Sequence, residues 1–221
     1  MTLQEAMKAR HSVRSYLDQP LDEAVVDRLT EEIQSCNRDS GLHIQLIRNE
    51  PRAFSSPLAH YGLFSNVKSY LVLAGPDTAQ LDERCGYYGQ HLVLLAQQLG
   101  LNTCWVAGTY RKIYDAFQLE RGEKLCCVIA IGYGASQGKP RRSKLPEQVA
   151  RFLPDSPDWF RRGVDAALLA PTAINQQQFH FSHQGNVVTA KPGLGFCSRI
   201  DLGIVKYQFE LGAGKDQFIW A

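Results

Sequence analysis

Three apolar stretches constrain what this chain can fold into. Tyr70-Leu71-Val72-Leu73-Ala74 lies inside a strand-length run from Lys68 to Ala74 that Gly75-Pro76 closes, and Lys124 to Gly132 is a second such run. Between them Tyr88, Leu92, Leu95, Ala96 and Leu99 recur at helical spacing, and Gly100 supplies a stop. That helix is hydrophobic around much of its circumference, which predicts a central, buried position. Burying a helix and two strands takes a substantial core. A chain of 221 residues, 44% hydrophobic and 21% charged, is long and apolar enough to form one.

The other segments fill in around this frame. Helices are predicted over Thr2–Arg10, Leu21–Cys36, Arg111–Leu119, Trp159–Leu169 and Asp201–Leu211, with Asp22 as an N-terminal anion and Asp201 as a cap. Short extended pieces are predicted at His43–Arg48, Thr103–Val106 and Gln217–Trp220. Phe179–Ser182 and Val187–Ala190 flank His183-Gln184-Gly185-Asn186, a hairpin signal. Gln148 to Asp158 is Pro-rich and irregular. Helices and strands alternate without a βαβ rhythm, so a single α+β domain over residues 1–221 fits better than a doubly wound sheet. A helix–turn–strand pattern at 22–48 recurs at 159–183, where the turn is richer, and the first copy reads as degenerate.

Charge and composition exclude several classes. The formal net charge of +2 is too small to make nucleic acid the main partner. No apolar run approaches a membrane span. The N-terminal Met-Thr-Leu-Gln-Glu-Ala has no apolar core, so no secretory signal is expected. Cysteines stand at 36, 85, 104, 126, 127 and 197 with no CxxC pair. Adjacent Cys126 and Cys127 in a strand point to opposite faces and do not serve one metal. Reduced thiols in the cytoplasm follow from this usage.

Four stretches carry chemistry. In Arg10-His11-Ser12-Val13-Arg14-Ser15-Tyr16 an extended backbone sends Arg10, Ser12 and Arg14 to one side, and two arginines with no acid between them repel unless an anion joins them. Lys139-Pro140-Arg141-Arg142-Ser143-Lys144-Leu145-Pro146 is a second basic knot, read alone as wet surface. Ala107-Gly108 opens a loop after Gly100-Leu101-Asn102-Thr103-Cys104-Trp105-Val106, where backbone N–H groups can face a ring. Ala170-Pro171-Thr172-Ala173-Ile174-Asn175-Gln176-Gln177-Gln178-Phe179 has small residues and amides able to read a heterocycle's edge, and alone it reads as a helix stop followed by a polar turn. The sequence has no GxxxxGK[ST], no GxGxxG after a strand, no GxSxG and no HExxH, and His180 reads as a structural strand residue. Chemistry therefore has to come from a bound cofactor.

Together the four stretches resemble the nitroreductase family of FMN-dependent oxidoreductases over most of the chain. Arg10 to Tyr16 is similar to that family's N-terminal phosphate segment, and Arg142-Ser143-Lys144-Leu145-Pro146 to its distal phosphate clamp. Leu99-Gly100-Leu101-Asn102-Thr103-Cys104-Trp105 is similar to its Gly-Leu-Gly-Thr-Cys-Trp passage, and Ala170-Pro171-Thr172-Ala173-Ile174-Asn175-Gln176-Gln177 to its Ala-Pro-Ser-x-x-Asn-x-Gln turn. Two departures stand out: that turn lies in the C-terminal third rather than after the first helix, and Gln178 and Phe179 replace the usual proline and tryptophan. The chain thus resembles a rearranged branch.

The resemblance implies a central, mainly antiparallel sheet packed with helices and FMN as cofactor. It implies phosphate contacts from Arg10, His11, Ser12, Arg142 and Lys144, and Arg14 near the N1–O2 edge of the ring. Ala107 and Gly108 amides would face O4 and N5, and Pro171, Thr172, Asn175 and Gln177 would lie along the ring. It implies hydride transfer from NADH or NADPH to flavin N5 and onward to a nitroaromatic, quinone or similar small acceptor, with no protein acid or base. A homodimer is left open. A flavin-binding or reduced-flavin-consuming protein without general reductase activity is the alternative, and a phosphate-ligand module without flavin is a third.

Overall fold

The computed structural model describes residues 1–221 except for the side chains of Leu58 and His60. In chain order the elements are α1 (Leu3–Ala9), α2 (Glu23–Ser40), β1 (Gln45–Ile47), α3 (Pro57–Tyr61), β2 (Ser69–Pro76), α4 (Leu81–Gln98), β3 (Asn102–Val106) and β4 (Glu123–Gly132). There follow α5 (Asp158–Leu168), β5 (Phe179–Gln184), β6 (Val187–Pro192), α6 (Ser198–Ala213) and β7 (Ile219–Trp220). The fold is the expected α+β mixture of helices and mainly antiparallel strands. No helix is long and apolar enough to cross a membrane among the described residues.

The chain divides into two compact units, one made of Ala9–Leu81 and Leu92–Lys139, the other of Met1–Lys8, Asp82–His91 and Pro140–Ala221. The first holds a four-stranded antiparallel sheet in the order β1-β2-β4-β3. Alternation sends Tyr70, Val72, Ala74, Cys104, Val106, Val128 and Ala130 into one cluster with Phe54, Phe64 and Tyr110. The opposite face packs on Leu29 and Val26 of α2, with Ala96, Leu101 and Ile131. A sheet covered on both faces needs central strands that are apolar throughout, which is why β2 and β4 stood out in the sequence. Gly41 closes α2 at φ +69°, its N–H bonded to Asn37 O.

The helix predicted over residues 111–119 does not form. The stretch is a run of turns with an internal bond, Ala116 N to Ile113 O (3.0 Å), while Arg111 N donates to Ala53 O (2.8 Å) and Gln118 N to the Gln45 amide oxygen (2.9 Å). Ile113 and Phe117, four apart, are both buried in the sheet cluster, so packing imitates a helical spacing without a helix.

In the second unit β5 and β6 form the predicted hairpin around Gly185, and the final strand joins β6 in parallel, giving the order β5-β6-β7. Phe160, Phe181, Phe209, Phe218 and Trp220 fill the space beneath it. The helices here touch backbone to backbone. A Cβ on Gly203 of α6 would lie 1.9 Å from Glu83 O, and one on Gly86 of α4 2.1 Å from Ile200 O. Asp201 does not cap α6 as predicted. The helix begins at Ser198, after Cys197 at φ +57°, and Asp201 sits in its first turn with its carboxylate turned to another segment. His180 lies in a strand, β5, as expected, and is exposed there.

Gly203→Ala should lower unfolding free energy by about 3 kcal/mol or more, because the methyl meets backbone that cannot yield. Gly41→Ala, with open space around the methyl and only its positive φ to oppose it, should cost about 1 kcal/mol. Urea unfolding followed by circular dichroism compares the two. Equal losses would refute the close helix approach.

Candidate functional site

In the first unit the basic segment is held by the sheet edge. β3 is an edge strand, and its open side takes up Ser12 and Val13: Ser12 pairs with Thr103 in parallel, and Val13 N donates to Thr103 O (3.0 Å). Ser65 N donates to Arg14 O (3.0 Å), Tyr16 N to Ser65 O (3.1 Å) and Ala135 N to Ser15 O (2.9 Å). Val13 and Tyr16 enter the core cluster. Arg10 is also buried, whereas Arg14 is exposed and Ser12 half-buried. His11 faces the chain leaving β4, where a Cβ on Gly138 (φ +77°) would come within 2.6 Å of the His11 Cβ.

Cys104 lies against this cationic segment. Burial holds its thiol above the ordinary value, opposed by the Arg14 charge, a hydrogen bond with Ser12 and the Arg10 charge. It is therefore a neutral thiol at physiological pH and no nucleophile. β3 runs on into Ala107, half-buried, and Gly108, exposed, and a methyl on Gly108 would meet nothing within 4 Å.

In the second unit the basic loop and the amide-rich turn are stitched together. Lys144 N donates to the Gln177 side-chain oxygen (2.7 Å), Lys144 Nζ to Gln177 O (2.9 Å), and Gln177 Nε2 to Ser143 Oγ (3.2 Å). Asn175 Nδ2 donates to Arg142 O (2.9 Å) and Gln177 N to Thr172 Oγ1 (3.0 Å). The turn carries three residues at positive φ, Ile174 (+46°), Asn175 (+56°) and Gln177 (+48°). Each such residue costs on the order of 1–3 kcal/mol, tolerated only where surrounding contacts impose it. Pro171 is buried beneath the turn and Arg142 is exposed beside it.

Arg141 has a different role from its neighbours. Its Nη2 donates to Leu168 O (2.9 Å) and to Ala170 O, which caps the C-terminal end of α5, and desolvation lowers its pKa. Asn175 keeps one group in reserve: its Oδ1 is buried and has no partner among the described residues. A buried amide oxygen left open can accept a hydrogen bond from water or from a ligand's N–H.

Asp201 anchors this turn from below. Its Oδ1 accepts from Ala173 N (2.9 Å) and its Oδ2 from Gln176 Nε2 (2.8 Å), and it is 2% exposed. Burial pushes its carboxyl up to about 6 against the opposing pull of those two hydrogen bonds. Sequence reasoning missed this anchor because an aspartate near a helix start reads as a cap. It also missed Gln176, whose only visible signal was its place in a run of three glutamines.

The structure thus gathers Arg10, His11, Ser12 and Arg14 beside β3, the strand that leads into Ala107 and Gly108. It separately gathers Arg142 and Lys144 with Pro171, Thr172, Asn175 and Gln177. Thr172 spends its hydroxyl on the turn itself, Gln177 spends its side chain and carbonyl on the basic loop, and Asn175 has an oxygen to offer.

Residues 2–213 match the sequence profile of the family described as "Putative TM nitroreductase". The chain belongs to that family. A crystal structure named a putative nitroreductase, from Thermotoga maritima, superimposes with a TM-score of 0.70 at 22% identity, over 98% of this chain and 85% of that one. Another, from Desulfovibrio desulfuricans and in complex with FMN, gives 0.52 at 18% identity, over 71% and 98%. A Parabacteroides distasonis protein named putative NADH dehydrogenase/NAD(P)H nitroreductase gives 0.52 at 21%, over 66% and 95%. These likenesses establish a nitroreductase fold. No curated protein matches the chain.

Asp201 makes stability depend on pH in a stated direction. Its folded pKa of about 6 exceeds the ordinary 3.8, so folding takes up a proton between those values and wild-type stability falls as pH rises through them. Relative to wild type, Asp201→Asn should gain up to about 3 kcal/mol between pH 4 and pH 8. Urea unfolding of both proteins at each pH measures the difference, and a flat difference would remove the buried, costly charge.

Proposed function

We propose that this chain is an FMN-dependent oxidoreductase that takes hydride from NADH or NADPH and reduces a nitroaromatic, quinone or similar small acceptor. The observation that carries the reading is the joining of a cationic loop, Arg142 to Lys144, to a strained turn that holds the unfilled Asn175 Oδ1. A phosphate tail calls for the cations, and the N–H edge of a flat heterocycle for an open acceptor. The FMN-complexed relative and the family membership support the choice of cofactor.

In this reading Arg142 and Lys144 bind the phosphate, whose negative charge their cations match, and Arg10, His11 and Ser12 are the further phosphate-binding residues that the family resemblance implies. Arg14 would hold the pyrimidine side of the ring, where a cation favours negative charge. The Ala107 and Gly108 amides would offer N–H donors to the ring. Pro171, Thr172 and Gln177 shape the turn, and Asn175 accepts from the ring's N–H. When bound, FMN supplies the hydride-accepting centre, which the protein's own side chains lack.

The alternative without general reductase activity drew on Gln178 and Phe179. Phe179 is buried in β5 and packs edge-on against Phe181 at 5.5 Å, so that replacement alters packing rather than a ligand face. The reductase reading is therefore preferred.

Purified protein should be yellow with the absorption bands of bound flavin, and NADH under nitrogen should bleach them. Arg142→Ala with Lys144→Ala should weaken FMN binding by at least about tenfold through loss of charge-assisted bonds. Arg10→Ala with Arg14→Ala should do at least as much. Circular dichroism checks the fold of both, which matters most for buried Arg10. Wild-type protein that stays colourless and takes up no added FMN would sink the proposal.

A further inference from the structure

Four large apolar side chains stand in solvent around the 172–178 turn: Leu145 (65% exposed), Ile174 (88%), Leu194 (98%) and Phe196 (62%). Single exposed apolar residues mean little, but these sit on three segments that the structure lays side by side. Leu145 follows Lys144, which is bonded to Gln177 through both its nitrogens. Gln176 Nε2 donates to Phe196 O (2.7 Å) and Gly193 N to Gln178 O (2.8 Å). A Cβ on Gly195 would lie 2.4 Å from Gln176 Oε1, so the loop 193–196 approaches the turn as closely as its glycines permit. The backbone is bent to present these side chains. Ile174 is β-branched yet sits at φ +46°, and Cys197 at φ +57° turns the chain directly after Phe196.

Size and charge select the occupant. Four such side chains expose on the order of 400–500 Å². That is well short of the roughly 800 Å² each partner contributes to a stable protein interface, but ample for one two-ring molecule. No acidic residue occurs between Asp165 and Asp201 or between Glu123 and Glu147, so nothing in these segments attracts a cation. A flat, neutral or anionic aromatic molecule fits the surface, and the turn beneath it is the one assigned above to the flavin ring.

We propose that Leu194 and Phe196, with Ile174 on the facing turn, form the contact surface for the apolar ring of the electron acceptor and so favour hydrophobic flat acceptors over small polar ones. This rests on the oxidoreductase reading. The overall exchange is unaltered: NADH, one proton and a quinone give NAD⁺ and a hydroquinone, two electrons passing from one to the other. Leu194 and Phe196 act on how well the acceptor is held, through ring contact and exclusion of water.

The test uses Leu194→Ser with Phe196→Ser, both at exposed positions, in protein whose FMN content is measured by absorbance. With NADH as donor, kcat/KM for menadione should fall about tenfold or more, mainly through KM, while kcat/KM for ferricyanide changes less than twofold. Saturation-transfer NMR with naphthalene-2-carboxylate, a redox-inert two-ring probe, should show binding to wild type that the variant loses, with or without FMN. An unchanged menadione-to-ferricyanide ratio together with unchanged probe binding overturns the proposal. So does a variant that alters only the mass of the protein in solution, because the surface then joins two protein copies. If wild-type protein holds no flavin yet binds the probe through these residues, the oxidoreductase reading falls and the ring-contact surface stands.

Discussion

Gln177 is the residue on which the order of the second unit's loops depends. It is 2% exposed, held at φ +48°, and each of its polar groups is engaged: N–H to Thr172, carbonyl to Lys144 Nζ, amide oxygen to Lys144 N, amide nitrogen to Ser143. A buried amide left open costs more than a made bond returns, so this residue permits one arrangement of the basic loop against the turn. The left-handed geometry at 174, 175 and 177 persists because these bonds, and those of Asp201 beneath, over-determine it. Rigidity here is of the kind a binding site needs, since a ligand then has no loop to order.

The electrostatics of the two basic segments follow from what surrounds them rather than from how many charges they hold. Arg141 is consumed by the carbonyls at the end of α5 and contributes nothing outward. Lys144 is bonded to a neutral carbonyl, which steers its ammonium without neutralising it. In the other unit the thiol of Cys104 stays protonated despite two nearby arginines, because desolvation outweighs their pull. In the basic loop the Lys144 charge is positioned by an uncharged partner, which leaves it available to an anion.

How far the sequence disclosed this depends on the range of the interactions involved. The apolar runs of β2 and β4 and the helical stripe of α4 were legible because burial on all sides leaves a local compositional trace. The hairpin at 179–192 was legible from its turn residues. The N-terminal half of α4 was not: Gly86 and Gly89 look like breakers, yet Gly86 is required by the backbone of α6, more than a hundred residues away. The segment 111–119 is not a helix although its buried residues share a helix's spacing, because the backbone at its two ends bonds to other segments. The basic residues and the amides of the site were visible as types. Their joining through Gln177, and the anchor at Asp201, arise from contacts across tens of residues that no local pattern encodes.

The two helix–turn–strand segments show why chemistry is assigned to the later one. After α2 the chain closes with Gly41, and Asn37 spends both ends of its amide on Ile44, donating to its carbonyl (2.9 Å) and accepting from its N–H (2.8 Å). That turn is satisfied from within and has no amide oxygen of Asn37 to offer. After α5 the corresponding stretch is held from outside, by Arg141 at the helix end and Asp201 under Ala173 and Gln176. Because other residues carry the structural load, Asn175 is tied only through its nitrogen and its oxygen remains open. A polar turn can bind a ligand when its own fold does not need all of its hydrogen bonds, and of these two segments it is the later that keeps an amide oxygen open.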